Sequence, residues 1–262
     1  MVGVYFSGTG NTKYCIEKFL KALDGEAKAL PIEDPAAIEA VKNADEIVFA
    51  YPVYYSNLPK IVRDYICGNA DILRDKRIFV IATMGLFSGD GAGSSARLFK
   101  KYGAKVVGGL HLKMPDCIGD VKLLKKPLDK NRQLIKQADD KIVKAADKYK
   151  RGKYPKDGLG FFYHVAGLFG QRLYFPNKTK KYYDGIKADG SKCVACGLCA
   201  SVCPMQNIHV ESGKVTFNGK CTMCYRCFSN CPQKAITIIG KQVYEQSKIE
   251  KYLNGEGNND CR

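Results

Sequence analysis

Over the first 150 residues, short unbroken apolar runs alternate with segments whose apolar residues return every three or four positions. Residues 2–6, 46–50, 77–83 and 105–112 read as strands, and 27–30 as one more short strand. Residues 12–23 place Cys15, Ile16, Phe19, Leu20 and Leu23 on one helical face. Residues 58–66 and 94–102 and the long, charged stretch 129–149 also have helical spacing. Unbroken apolar runs suit strands covered on both faces. Their alternation with helices predicts an α/β fold, a doubly wound parallel sheet with right-handed crossovers, over residues 1–150.

The pattern then changes. Residues 151–185 are rich in Lys, Gly, Tyr and Phe and read as a basic, aromatic connector packed across a domain interface. Its apolar part, 159–175, is shorter than the roughly 20 residues a bilayer span needs. Residues 186–240 hold an internal repeat and predict a small α+β domain. Lys192-Cys193 and Lys220-Cys221 open the two copies, and each copy ends in Cys-Pro followed by a strand-like run, 208–210 or 235–239. The tail, 241–262, is polar and is expected to begin as a helix and then fray.

The chain has twelve cysteines. No basic segment and apolar run precede residue 2, so no secretory signal is expected and the expected location is cytoplasmic, where thiols stay reduced. Metal is then the first reading of the cysteines. The copies are Cys193-x2-Cys196-x2-Cys199-x3-Cys203-Pro204 and Cys221-x2-Cys224-x2-Cys227-x3-Cys231-Pro232. Three thiolates at two-residue gaps wrap one loop round a cubane, and the fourth, after a longer gap, reaches the neighbouring cluster. Cluster I is thus assigned Cys193, Cys196, Cys199 and Cys231, and cluster II Cys221, Cys224, Cys227 and Cys203. Structural zinc, the alternative, takes four ligands per ion and does not call for a third cysteine at this spacing in both copies. This part resembles two-cluster bacterial-type ferredoxins, which implies two [4Fe–4S] clusters and low-potential, one-electron transfer. Backbone amides and Lys192, Lys214 and Lys220 are expected to stabilise the reduced clusters. Cys15, Cys67, Cys117 and Cys261 lack metal spacing. Cys15 and Cys67 read as buried small hydrophobes, and Cys117 as a thiol near a strand end.

After the first strand comes Ser7-Gly8-Thr9-Gly10-Asn11-Thr12 and then a helix. Hydroxyls and glycines at such a turn form an anion site: the backbone curls, amides point inward and the helix N-terminus favours negative charge. No Gly-Lys-Ser/Thr follows, and Gly-x-Gly-x-x-Gly is absent. Two more segments follow strands: Pro52, Val53, Tyr54, Tyr55 and Asn57 after 46–50, and Thr83, Met84, Gly85, Phe87, Ser88, Gly89 and Asp90 after 77–82. Carboxyl ends of strands are where doubly wound sheets bind ligands. This arrangement resembles flavodoxins. The resemblance implies FMN, its phosphate held by Ser7, Thr9, Gly10, Asn11 and Thr12 and its ring by the two later loops. The chain has no Trp, so ring stacking falls to Tyr54 or Tyr55, with Phe87 behind them. With Pro52–Pro59 and Lys113-Met114-Pro115-Asp116, nearly the whole chain is similar to flavodoxin–ferredoxin fusions, sometimes called ferrodoxins.

The expected function is electron transfer coupling FMN to two [4Fe–4S] clusters. A flavin-dependent oxidoreductase fed through the clusters is the alternative, and a redox sensor a third reading. The formal net charge of +16 suits an acidic redox partner. No motif for nucleic acid accompanies it. Among the three histidines, His111 reads as core, His164 lies in the connector and His209 follows the first cluster motif; none forms a catalytic constellation.

Overall fold

A computed structural model describes residues 1–23, 25–55, 57–86, 89–167, 169 and 184–253. Phe87, Ser88, Cys261 and the end of the tail lie outside the described residues.

Five parallel strands form the first lobe in the order β2-β1-β3-β4-β5. They are β1 (Val2–Tyr5), β2 (Ala29–Pro31), β3 (Glu46–Pro52), β4 (Arg77–Met84) and β5 (Lys105–Lys113). Between them run α1 (Asn11–Leu23), α2 (Pro35–Asn43), α3 (Lys60–Gly68), α4 (Ala70–Leu73) and α5 (Gly91–Lys101), and α6 (Leu128–Lys150) follows β5. The period of two along each strand sorts the core into two layers. Val4, Phe49, Tyr51 and Val80 pack with Val41, Val62, Ile66 and Phe99 on one face. Tyr5, Val48, Phe79 and Ile81 pack with Ile16, Phe19, Ile135 and Ile142 on the other. α2 was not expected from the pattern. Its start is chemical: Asp34 accepts a hydrogen bond from the Ala36 amide and Pro35 fills the first helical position.

Cys15 is buried as expected, but Cys67 is exposed. The inward stripe of α3 is Val62, Tyr65 and Ile66, and one residue further turns a side chain about 100° away from it. The segment after α6 lies along β5: the Gly109 amide donates to Pro155 O and the Asp157 amide to Gly109 O, covering what would be an open edge. Helix α7 (Phe161–Gly167) follows.

The second lobe contains β6 (Lys187–Ala188), α8 (Leu198–Ser201), β7 (Ile208–Glu211), β8 (Lys214–Phe217), α9 (Arg226–Asn230) and β9 (Ile236–Thr237). β6 pairs antiparallel with β9, and β7 with β8. The β7–β8 turn puts Ser212 and Gly213 at positive φ, as a two-residue hairpin turn of this hand requires. Residues 241–253, expected to begin as a helix, instead return across the first lobe as a strap that becomes helical only at its end, α10 (Glu250–Leu253). The Tyr244 and Glu245 amides donate to Gly119 O and the Ile249 amide to Thr9 O. Ile249 and Tyr252 are buried in the layer of Ile16 and Phe19. Among the described residues no helix is long and apolar enough to cross a membrane.

Candidate functional site: a cavity walled by a cysteine loop

At the β1/β3 position, where strand order reverses, a crevice opens beyond the carboxyl ends of the strands. A cavity of ≈ 1090 Å³, counting its open mouth, occupies it. Of the residues singled out from sequence, Ser7, Thr9, Asn11, Thr12, Pro52, Val53, Tyr54, Tyr55, Thr83, Met84 and Gly85 line this cavity. The 7–12 loop has the features of an anion cradle. The Ser7 hydroxyl and Asn11 Oδ1 are buried with no hydrogen-bond partner among the described residues, so a ligand there would satisfy them. Asn11 Nδ2 donates to Pro115 O at 2.8 Å, and the Thr12 and Thr83 hydroxyls share a 2.8 Å hydrogen bond. The loop is thus tied to the ends of β4 and β5.

Gly10, Asn57, Gly89 and Asp90 do not line the cavity. Gly10, at φ +91°, turns toward Ile249 of the strap. Asn57 pairs with Tyr54 through two backbone hydrogen bonds and accepts from the Leu58 amide at 2.8 Å, so it braces the loop that carries the two tyrosines. Asp90 is fully buried, and its Oδ2 accepts from Arg97 Nη1 at 2.5 Å and lies 3.1 Å from His164 Nδ1. That pairing draws the carboxylate toward α5 and α7, away from the crevice. His111 is buried, as its strand position suggested, and burial lowers its pKa to about 4. Its Nε2 accepts from the Ala92 amide at 3.1 Å, which requires that nitrogen unprotonated. His209 is exposed on β7, 2.6 Å from Asn218 Nδ2.

Two other walls are absent from the residues assigned to the site, although Pro115, Asp116 and Cys117 stood out in the sequence at a strand end. One is the loop after β5, where Pro115, Asp116, Cys117 and Ile118 line the cavity. It also follows a strand end, and that signal was available. Burial pushes the Asp116 carboxyl and the Cys117 thiol up from their ordinary values. The other wall comes from the second lobe: Met223, Cys224, Tyr225 and Ile239.

The eight motif cysteines fall into two quartets. Cys203, Cys221, Cys224 and Cys227 line one pocket of ≈ 300 Å³. Cys193, Cys196, Cys199 and Cys231 line another of ≈ 350 Å³. In each, three cysteines from one copy meet the Cys-Pro cysteine of the other. The copies share unusual backbone. Ala195 and Met223 have positive φ before the second cysteine, Gly197 and Tyr225 after it, and Gln206 and Lys234 beyond each Cys-Pro. Non-glycine residues enter this region at a cost of about 1–2 kcal/mol each, and such strain clusters at ligand clamps. Amides already point at sulfur: Met223 to Cys221 Sγ at 3.3 Å, Asn207 to Cys203 Sγ at 3.4 Å and Ala235 to Cys231 Sγ at 3.3 Å. Burial raises the Cys221 thiol to about 11 and the Cys224 thiol to about 12. An ionised thiolate in these positions therefore needs a metal to stabilise it. Among the described residues no three Cys, His, Asp or Glu side chains gather as round a single ion. Each quartet surrounds its own pocket, and in each the four sulfurs belong to both copies of the repeat.

The quartets differ in setting. Cys221, Cys224 and Cys227 are buried, whereas Cys196 is exposed and Val194 beside it is 62% exposed. The buried quartet abuts the cavity, since Cys224 and Tyr225 line both. A Cβ on Gly8 would lie 1.9 Å from Cys224 O, so the lobes meet backbone to backbone at the anion loop. Two links hold them there, the first half-buried and the second centred on buried Asp120. Arg226 Nη2 donates to Ser7 O at 2.7 Å and to Glu33 Oε1 at 2.6 Å. Asp120 accepts from the Tyr225 hydroxyl at 2.8 Å and from the Ile238, Ile239 and Gly240 amides at 2.7, 2.9 and 3.0 Å.

Comparison with known proteins agrees with the two lobes. A flavodoxin domain model matches residues 3–114, and a 4Fe-4S dicluster domain model matches residues 192–236. Similar solved structures include the two-electron reduced flavodoxin of Megasphaera elsdenii, 22% identical, covering 55% of this chain and 100% of that one, with a TM-score of 0.39. Oxidised flavodoxin 2 of Bacillus cereus is 16% identical, covering 57% and 97% of the two chains, at 0.42. The Fusobacterium nucleatum flavodoxin bound to flavin mononucleotide is 15% identical, covering 57% and 96%, at 0.37. The search of curated proteins found no match.

Proposed function

We propose that this chain, matched by a flavodoxin domain model and a 4Fe-4S dicluster domain model, is a flavin and iron–sulfur electron-transfer protein that couples FMN to two [4Fe–4S] clusters in a fixed order. Ser7, Thr9, Asn11 and Thr12 at the α1 N-terminus would hold the FMN phosphate, and Tyr54, Tyr55, Met84 and Gly85 would border the ring. Cluster I takes Cys193, Cys196, Cys199 and Cys231; cluster II takes Cys221, Cys224, Cys227 and Cys203. When bound, the flavin supplies exchange between one- and two-electron chemistry, and the clusters supply one-electron relays. The chain's own part is placement. The observation that carries the order is the shared wall: Cys224 and Tyr225 border both the cavity and the buried quartet. Cluster II is then the inner relay and cluster I the outer one.

The outer quartet presents exposed Val194 and Leu198. Lys192 flanks Cys193, and Lys214 and Lys234 neighbour the pocket-lining Val215 and Gln233; all three lysines are exposed. This face suits transient docking of an acidic one-electron carrier. A second reading, reduction of a small molecule at the flavin, is favoured by the open mouth of the cavity beside Leu86, which is 59% exposed. Quinone turnover by the reduced protein faster than by free FMN would support it.

The test is a cofactor inventory of protein purified without air. The proposal expects one FMN, eight irons and eight acid-labile sulfides per chain and no stoichiometric zinc. A colourless or zinc-loaded preparation contradicts it. Cys224→Ser should remove one cluster's iron and leave FMN bound.

A further inference from the structure

We propose that Asp116 is the proton donor of the cavity: its carboxyl delivers a proton to the flavin ring as electrons arrive and regains one from solvent. This rests on the reading of the cavity as an FMN site. Asp116 supplies the sole carboxyl in the described lining. It stands where the ends of β4 and β5 converge, pressed against Gly85. A Cβ on residue 85 would lie 2.4 Å from Asp116 Oδ2, so the glycine leaves the carboxyl its place. Oδ1 is held by the Ile118 amide at 2.8 Å. Among the described residues Oδ2 has no hydrogen-bond partner, and it is the oxygen left to work.

Burial raises the pKa of the carboxyl and so favours the neutral, proton-bearing acid over the carboxylate. The groups that face it act in both directions. Lys125 and Lys126, in the turn before α6, lower its pKa, and Cys117 is its neighbour on the same loop. Tyr54 and Tyr55 border the cavity from the β3 side and Cys224 and Tyr225 from the second lobe. From the strap, Tyr252 senses Asp116, and Glu245 and Lys251 act on Lys125. Lys125 Nζ lies 3.9 Å from Glu245 Oε2 and donates to Ser247 Oγ at 3.2 Å. The balance is one electron from the reduced cluster and one proton from Asp116 into the ring, the carboxylate then taking one proton from water. Re-oxidation reverses both.

The experiment compares wild-type holoprotein with Asp116→Asn and Asp116→Ala. Flavin absorbance and a pH-indicator dye are followed together after a rapid electron pulse, with and without formate as an added small acid. The proposal expects both variants to hold FMN, to bleach at least tenfold more slowly and to take up protons equally late. Formate restores the alanine variant, which leaves it room, more than the asparagine variant. In wild type the rate falls as pH rises through the pKa of the carboxyl. Unchanged bleaching and proton-uptake rates in FMN-loaded variants overturn the proposal. So does slow bleaching that formate never restores, since that marks a purely structural role. If the alanine variant loses FMN, the pH profile of the asparagine variant decides: a retained wild-type profile overturns the proposal, and a flat one upholds it. Wild-type protein without FMN would instead overturn the underlying reading of the cavity.

Discussion

Gly8 and His111 show how single positions carry the arrangement. The Ser-Gly-Thr-Gly-Asn-Thr stretch was legible because an anion loop is local: its hydroxyls, glycines and following helix are adjacent in sequence. What the pattern could not convey is that Gly8 serves a second purpose. Its missing side chain admits Cys224 O, more than two hundred residues away. Gly8→Ala should separate the lobes, seen as faster proteolysis between them and weaker FMN retention. Gly25→Ala, where nothing lies within 4 Å, should leave both unchanged. His111 makes a pH prediction. Its pKa is lowered to about 4 in the folded protein, against an unfolded value of about 6.5. Between those values the unfolded chain binds more protons, so stability falls as pH drops from about 6.5 towards 4, by up to about 3 kcal/mol. Above that window the contribution is constant. Denaturant titrations followed by near-UV circular dichroism should show a shallower acid slope for His111→Gln.

At the scale of elements, legibility tracked sequence range. The four long strands announce themselves as apolar runs, and α1 and α6 as long periodic faces. α2 escaped because nine residues offer only Ala37 and Val41 as a buried stripe. The strap escaped for the same reason in stronger form: Ile249 and Tyr252 are its buried anchors in an otherwise polar stretch. The grouping of the cysteine repeat was legible as a pattern: the four cysteines that the spacing puts together are the four that line one pocket. Which pocket faces the cavity was not legible, since that depends on Asp120 and Arg226 joining lobes far apart in sequence. The strap yields a test. Ile249→Ala should cost about 2–5 kcal/mol of first-lobe stability in denaturant titration. It should also speed FMN dissociation, because a strap that has lost this anchor holds its residue-249 amide less firmly on Thr9 O of the anion loop.

Over the whole molecule, the formal charge of +16 bears on association rather than on folding. Steering of an acidic carrier toward the outer quartet should weaken as the Debye length contracts from about 10 Å at 0.1 M salt to 3 Å at 1 M. The bimolecular rate of electron exchange with such a carrier should therefore fall steeply with salt, and Lys192→Glu should lower it at low salt. A rate indifferent to salt would remove support for that face. The internal route should behave otherwise, because it lies within one chain and behind buried contacts.

That contrast leads to the most direct measurement. Anaerobic protein carrying both cofactor types is reduced by a sub-stoichiometric pulse, and flavin absorbance and cluster EPR are followed in the same samples across a hundredfold range of protein concentration. Electrons should redistribute between flavin and cluster at a rate independent of concentration. Cys224→Ser should abolish that phase while FMN remains bound. Exchange that scales with protein concentration, or centres that never equilibrate, would contradict the shared wall as an electron path.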